Sequence, residues 1–87
     1  MIKIDFSKFP MYTDIEHSRK EEMDIRKGVA NRIYTTIAGI TAHDLAFRIL
    51  RSSGPIELDD DDITTMRLFA ASEGTPAFQD SLADILK

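Results

Sequence analysis

The chain has 87 residues, a net charge of -4, 43% hydrophobic and 30% charged residues, and no cysteine. This composition is that of an ordinary globular domain, and it excludes disulfides, thiolate metal sites, iron–sulfur clusters and a cysteine nucleophile. The lack of cysteine is typical of a reducing compartment, and Asp5 interrupts the apolar start that a signal peptide requires, so we expect a cytoplasmic protein. No apolar run approaches the ~20 residues that cross a bilayer, so we expect no membrane association.

Charge is distributed unevenly along the chain. Residues 17–51 carry seven Lys/Arg against four Asp/Glu, whereas residues 52–87 carry two against eight. Bulk charge therefore does not favour strong nucleic-acid binding. We expect the basic and acidic parts to attract each other, either within one chain or between copies.

The N-terminal residues alternate in polarity and are followed by a predicted long helix. Ile2, Ile4 and Phe6 would share one face of a strand over residues 2–6. Thr13 and Glu16 have the spacing of a capping box, which predicts a first helix over residues 14–38. Only the second half of that segment carries an apolar stripe, so a later start of the helix is the alternative.

Three further helices are predicted by clearer end signals. Thr41 is the expected cap of a helix over residues 41–53, which Gly54 would end. Asp59 is the expected cap of a helix over residues 60–73 ended by Gly74, and Pro76 opens a fourth helix over residues 76–86. Residues 56–58 are extended and predicted to pair with residues 2–6. The sequence thus predicts one mainly helical domain over residues 1–87, with four helices and a minor β element.

Three segments resemble those of known proteins. An extended N-terminal piece (residues 1–6), the apolar helix segment 45–50, and the Ile-Glu-Leu segment leading into an acidic helix start (residues 56–68) carry the resemblance. In this pattern the chain resembles small uncharacterised proteins encoded by bacteriophages and integrated prophages. The resemblance implies a mobile-element origin and transfers no catalytic or binding residue.

The four aspartates at positions 59–62 are the most prominent candidate for a cation site. A Ca²⁺ loop alternates its ligands around a turn glycine, whereas consecutive aspartates at a helix start point in different directions. We therefore interpret the run as capping residues that also stabilise the helix dipole. His17 and His43 are the only histidines, too few for a zinc site without cysteine. With no serine elbow and no phosphate loop, we expect no enzyme, no metal site and no cofactor.

Surplus apolar side chains are the first candidate binding feature. Phe47 and Leu68 lie off the main stripes of their helices, and Tyr12 belongs to an apolar cluster in a predicted loop. Either they pack inward or they form an interaction surface for another protein or a second copy. We expect, on this basis, a non-enzymatic interaction or self-associating accessory module.

Basic residues of the predicted first helix are the second candidate and indicate a small nucleic-acid-binding regulator. Arg19 and Arg26 are seven residues apart, as are Lys20 and Lys27, so each pair would lie on one face of the predicted helix. A DNA-contacting helix requires such an arrangement. Acidic residues interrupt the group, which favours a solvated helix with internal ion pairs instead. The candidate contacts are Arg19, Lys20, Arg26, Lys27 and Arg32.

Overall fold

A computed structural model describes residues 2–86 of the chain. Within that range it has four α-helices, four short strands and one 3-10 turn at Phe6–Lys8. In chain order the elements are β1 (Ile2–Ile4), β2 (Phe9–Tyr12), β3 (Lys20–Met23), α1 (Arg26–Thr36), α2 (Ile40–Arg51), β4 (Ile56–Leu58), α3 (Asp60–Glu73) and α4 (Pro76–Leu86). The predicted class, mainly helical with a minor β element, is confirmed.

The predicted pairing of the N-terminal strand with residues 56–58 is confirmed. β1 and β4 are antiparallel, with Ile2 opposite Leu58 and Ile4 opposite Ile56. Ile4 and Leu58 are both buried, so the pair turns one apolar face toward the helices. A two-stranded ribbon is marginal alone, and this burial stabilises it.

The predicted start of the first helix at residue 14 is wrong. Residues 9–12 and 20–23 instead form a second antiparallel hairpin, β2–β3, and α1 begins only at Arg26. At the turn, the carboxylate of Asp14 accepts a hydrogen bond from the amide of Ser18 at 2.9 Å, and His17 has a positive φ of 57°. The capping box proposed for Thr13 therefore does not form.

Burial explains why these residues are not helical. Most of a helix's stability in a protein comes from packing its apolar face. Residues 13–24 are exposed throughout, and Ile15 is 96% exposed. In the hairpin, by contrast, Phe9 is fully buried and stacks on Phe78 of α4 with ring centroids 5.5 Å apart.

One hydrophobic core joins these elements. The helices α1 and α2 pack together, α4 rests on β2, and α3 contacts both α2 and α4. No helix among residues 2–86 is long and apolar enough to cross a membrane. The large side chains that are fully buried are Phe6, Phe9, Ile33, Leu45, Ile49, Leu58, Met66 and Leu82.

The ends of α3 agree with the predicted signals, whereas α2 ends at Arg51, two residues before the predicted end at residue 53. Asp59 caps α3 and Gly74 ends it, as predicted, and Asp62 completes a reciprocal capping box with Asp59. The predicted cap at Thr41 is wrong, because α2 begins at Ile40 and follows Gly39. Gly39 has a φ of 115°, a conformation that residues with a Cβ rarely adopt, so the tight link between α1 and α2 requires glycine.

Candidate protein-interaction groove

The helices α1 and α2 leave a shallow apolar groove between their outer edges. Its volume is about 150 Å³, and six residues line it: Ala30, Asn31 and Tyr34 from α1, and Ala46, Phe47 and Leu50 from α2. We call this the α1–α2 groove. The small side chains of the two alanines form its floor, since both are buried, while the larger side chains form its walls.

Aromatic side chains cluster at the end of the groove near the α1–α2 link. Tyr34 meets Phe47 edge-to-face with ring centroids 5.9 Å apart, and His43 lies 4.9 Å from Phe47. Tyr34 is 59% exposed, Leu50 43% and Ile40 89%. A contiguous, exposed apolar patch of this kind is typical of an interaction surface.

Two cationic side chains, Arg51 and Lys27, lie beside the groove. The guanidinium of Arg51 lies over the ring of Phe47, 5.2 Å from its centroid. Lys27 shares the outer face of α1 with Asn31 and Tyr34, because residues four and seven apart line one side of a helix. Within residues 2–86, neither Lys27 nor Arg51 forms an ion pair.

A contact between Arg26 and Ser52 places the backbone positions of these two residues at the same end of the groove. Arg26 Nη1 donates a hydrogen bond to the carbonyl of Ser52, which joins the start of α1 to the residue after α2. Lys27 and Arg51 are the next residues inward on either side. Lys27 therefore lies toward the end of the groove opposite the aromatic cluster, whereas the side chain of Arg51 extends back over Phe47.

The other side of α2 is fixed by a buried acid. Arg48 donates to Asp62 at 2.6 Å and to Asp44 at 2.7 Å, and Asp62 is only 3% exposed. Desolvation by burial would lower the pKa of Arg48, but the hydrogen bonds that it donates to the two carboxylates outweigh this effect and raise the pKa. This contact holds α2 against the start of α3 and orients the groove outward.

Tyr12, predicted as part of an interaction surface, belongs to a different region. Its ring stacks on His17 at 4.0 Å and lies under the ammonium group of Lys20 at 4.6 Å. Its backbone amide donates to the buried hydroxyl of Ser81 on α4 at 2.9 Å. Tyr12 thus fastens the β2–β3 hairpin to α4.

A histidine–carboxylate contact and an ion pair complete the contact between the β2–β3 hairpin and α4. His17 Nε2 lies 3.0 Å from a carboxylate oxygen of Asp80, and Lys20 Nζ lies 2.5 Å from one of Asp84. The hydrogen bond that Lys20 donates to Asp84 raises the pKa of Lys20. These contacts join the basic and acidic parts of one chain. Attraction within one chain is one of the two arrangements that the charge distribution predicted.

The two remaining apolar candidates also lie apart from each other. Phe47 lines the α1–α2 groove, whereas Leu68 lies on the outer face of α3 and is 56% exposed. The structure therefore does not bring Phe47, Leu68 and Tyr12 together on one surface. Leu68 is instead the exposed apolar residue of a second helix face.

The basic candidates do not form one helical face. Arg19 and Lys20 lie in the β2–β3 hairpin, outside α1. Their spacing of seven from Arg26 and Lys27 therefore does not place them on one helical face. Four of the five are paired with carboxylates: Arg19 with Glu21, Lys20 with Asp84, Arg26 with Asp24 and Arg32 with Glu73. Lys27 is the member of the group that remains without a carboxylate partner within residues 2–86.

Tyr34, Leu50 and Ile40 are surface residues that were not among the predicted site residues. The available signal was the spacing of His43, Phe47 and Leu50, which places them together beside the core stripe of α2. In the described residues, no group of three or more His, Asp or Glu is arranged to hold a metal ion.

Comparison with protein-family models, with curated proteins and with solved structures finds no match for this chain. The α1–α2 groove combines exposed aromatic and aliphatic side chains with two neighbouring cations, Lys27 and Arg51, that form no ion pair within the described part of the chain.

Proposed function

We propose that this protein is a non-enzymatic interaction module that binds a helix of a polypeptide partner through the α1–α2 groove. The observation that carries the proposal is the exposure of Tyr34, Leu50 and Ile40 beside the partly buried ring of Phe47. Aromatic side chains at the centre of a patch with an Arg at its edge are enriched at protein interfaces.

The depth of the groove suits one large aliphatic or aromatic side chain. A volume of about 150 Å³ is smaller than the ~300 Å³ or more of a typical small-molecule pocket. The groove runs between two helices, and an amphipathic helix commonly places its apolar residues in such a site. These features support a partner helix with an apolar anchor residue.

The cations beside the groove indicate the charge of the partner. Lys27, two helical turns before Tyr34 on α1, and Arg51, over the ring of Phe47, are available to pair with carboxylates of a partner helix. Charge complementarity of this kind mainly sets orientation and association rate. We infer that the partner helix carries acidic residues on the same face as its apolar anchor.

Nucleic-acid binding is the less supported function. Phosphate contacts require Lys and Arg side chains that are free to release their counterions. Arg19, Lys20, Arg26 and Arg32 all have carboxylate partners, which weakens their attraction to a phosphate backbone. The resemblance of the sequence to phage-encoded proteins supports an accessory role in a mobile element, and the lack of cysteine supports a cytoplasmic location.

Site-specific photo-crosslinking tests the proposed groove. A photo-reactive amino acid at Asn31, which lines the groove, is expected to give a discrete covalent adduct in an extract of the native host. The control position is Glu22, which is exposed on the β2–β3 hairpin. Tyr34→Glu in the same chain is expected to abolish the adduct, because it places a charge in the apolar wall. Equal adducts from both positions, or none from Asn31, would contradict the proposal.

A further inference from the structure

The outer face of α3 has the features that the α1–α2 groove requires of a partner. Leu68 is 56% exposed there, and Thr64 and Asp61 precede it by four and seven residues, on the same side of the helix. Asp60 and Asp61 are exposed at the start of α3 and form no ion pair within residues 2–86. This face combines one apolar anchor with acidic residues about two turns away.

The spacing of these groups matches the groove. Seven residues separate Asp61 from Leu68 on α3, and seven separate Lys27 from Tyr34 on α1. Each interval is about 10 Å along a helix axis. A helix lying parallel to α1, with Leu68 between Tyr34 and Phe47, would therefore bring Asp61 to Lys27.

The charged side chains that form no ion pair among the described residues are of opposite sign on the two surfaces. The pairs Lys20–Asp84, Arg32–Glu73 and Arg48–Asp62 join the basic and acidic parts of one chain. Among residues 2–86, the cations beside the α1–α2 groove that form no ion pair are Lys27 and Arg51, and Asp60 and Asp61 are the corresponding exposed acids in the first turn of α3. Opposite charges that are unpaired within a chain favour pairing between chains.

We propose that the α1–α2 groove of one copy binds the outer face of α3 of a second copy, in a head-to-tail contact that rests on the function proposed above. A groove-to-groove contact about a two-fold axis is disfavoured, because it would leave Lys27 and Arg51 without acidic partners. A head-to-tail contact leaves one groove and one α3 face free at its ends, so it extends into a ring or a filament. One helix in one groove covers less than the ~800 Å² per partner of a standard interface, so the assembly is reversible.

Complementation between two assembly-defective variants tests this contact. Tyr34→Glu disables the groove and Leu68→Glu disables the α3 face, and both positions are more than half exposed, so the fold is retained. Sedimentation equilibrium of the wild-type chain is expected to show a mass that rises with concentration beyond a dimer. Each variant alone is expected to be monomeric, and an equimolar mixture is expected to stop at a heterodimer because one competent pair of faces remains.

Charge exchange tests the orientation of the contact. Lys27→Glu and Asp61→Lys are each expected to weaken association roughly fivefold, since each replaces attraction by repulsion. The chain with both changes is expected to recover the wild-type affinity. Ile15→Glu is the matched control, because Ile15 is 96% exposed on the β2–β3 hairpin and its change leaves assembly unaltered.

The outcomes separate this inference from the function on which it rests. A wild-type chain that stays monomeric, a Leu68→Glu variant that still dimerises, or a mixture that forms no heterodimer would each overturn the head-to-tail contact. A photo-crosslink from Asn31 to a different protein, lost in Tyr34→Glu, would then leave the groove as an interaction site for that partner. An adduct between two copies that maps to α3 supports both proposals.

Discussion

Asp62→Ala is expected to be the most damaging change within the aspartate run at positions 59–62. Asp62 is only 3% exposed, and its carboxylate accepts hydrogen bonds from Arg48 at 2.6 Å and from the amide of Asp59 at 3.2 Å. Alanine removes both acceptors. It therefore breaks the contact between α2 and α3 and half of the capping box together.

The expected loss can be worked out from these two contacts. A hydrogen bond to a charged partner contributes about 1.5–3 kcal/mol, and loss of a capping contact costs about 0.5–1 kcal/mol. Arg48 keeps its 2.7 Å contact with Asp44 and its side chain is 36% exposed, so its charge is not left buried and unpaired. The free energy of unfolding should fall by about 2–4 kcal/mol, which lowers the melting temperature by at least ~8 °C in a domain of this size.

Urea denaturation followed by far-ultraviolet circular dichroism measures this loss. The matched control is Asp61→Ala, measured at a concentration low enough to keep both variants monomeric, since Asp61 is the adjacent exposed aspartate and within one chain contributes its interaction with the helix dipole, about 0.3–1 kcal/mol. If the two variants lost the same stability, the aspartates would act only through their charge at the helix start. The assigned roles of the capping box and of Arg48 would then be wrong.

Three further predictions concern the helix ends and the β2–β3 hairpin. Gly74→Ala should lower the free energy of unfolding by about 1–3 kcal/mol, because its Cβ would lie 2.8 Å from the carbonyl oxygen of Ala70; unchanged urea stability would refute this. Ser81→Ala should cost about 1–2 kcal/mol and speed amide exchange at Tyr12, whose N–H loses its acceptor, whereas unaltered exchange would contradict it. A hydrogen bond from Arg26 lowers the pKa of Asp24 below its ordinary value of 3.8. The ionised carboxylate therefore stabilises the folded chain above that pH, and this stabilisation is lost as the pH falls through the folded-state pKa. The free energy of unfolding should therefore fall less steeply below about pH 4 in Asp24→Asn than in the wild-type chain. The same pH dependence in both chains would count against the ion pair.

The sequence carried enough local information for the C-terminal part of the fold. Asp59 with its capping partner, Gly74 and Pro76 are signals that act within one turn of the backbone, and α3 and α4 begin and end where those signals place them. The pairing of β1 with β4 was also predictable, because both segments alternate in polarity and neither can bury its apolar side alone.

The β2–β3 hairpin could not be predicted in the same way. Lys20–Met23 is charged and exposed, and its acid–base spacing is equally typical of a solvated helix. What stabilises it as a strand is distant in sequence: the burial of Phe9 against Phe78, and the hydroxyl of Ser81 that accepts from Tyr12. A single-sequence pattern does not contain those contacts, because they depend on where α4 lies.

The candidate site likewise has features that follow from the sequence and features that depend on tertiary contacts. The sequence by itself determined which side chains are available: a basic middle, an acidic end, and more apolar residues than a small core can bury. Only the tertiary structure decided that Phe47 joins Tyr34 in a groove, that Tyr12 fastens the β2–β3 hairpin, and that most of the basic side chains are paired. Periodicity specifies the face of a helix on which a residue lies, whereas exposure depends on which neighbouring element covers that face.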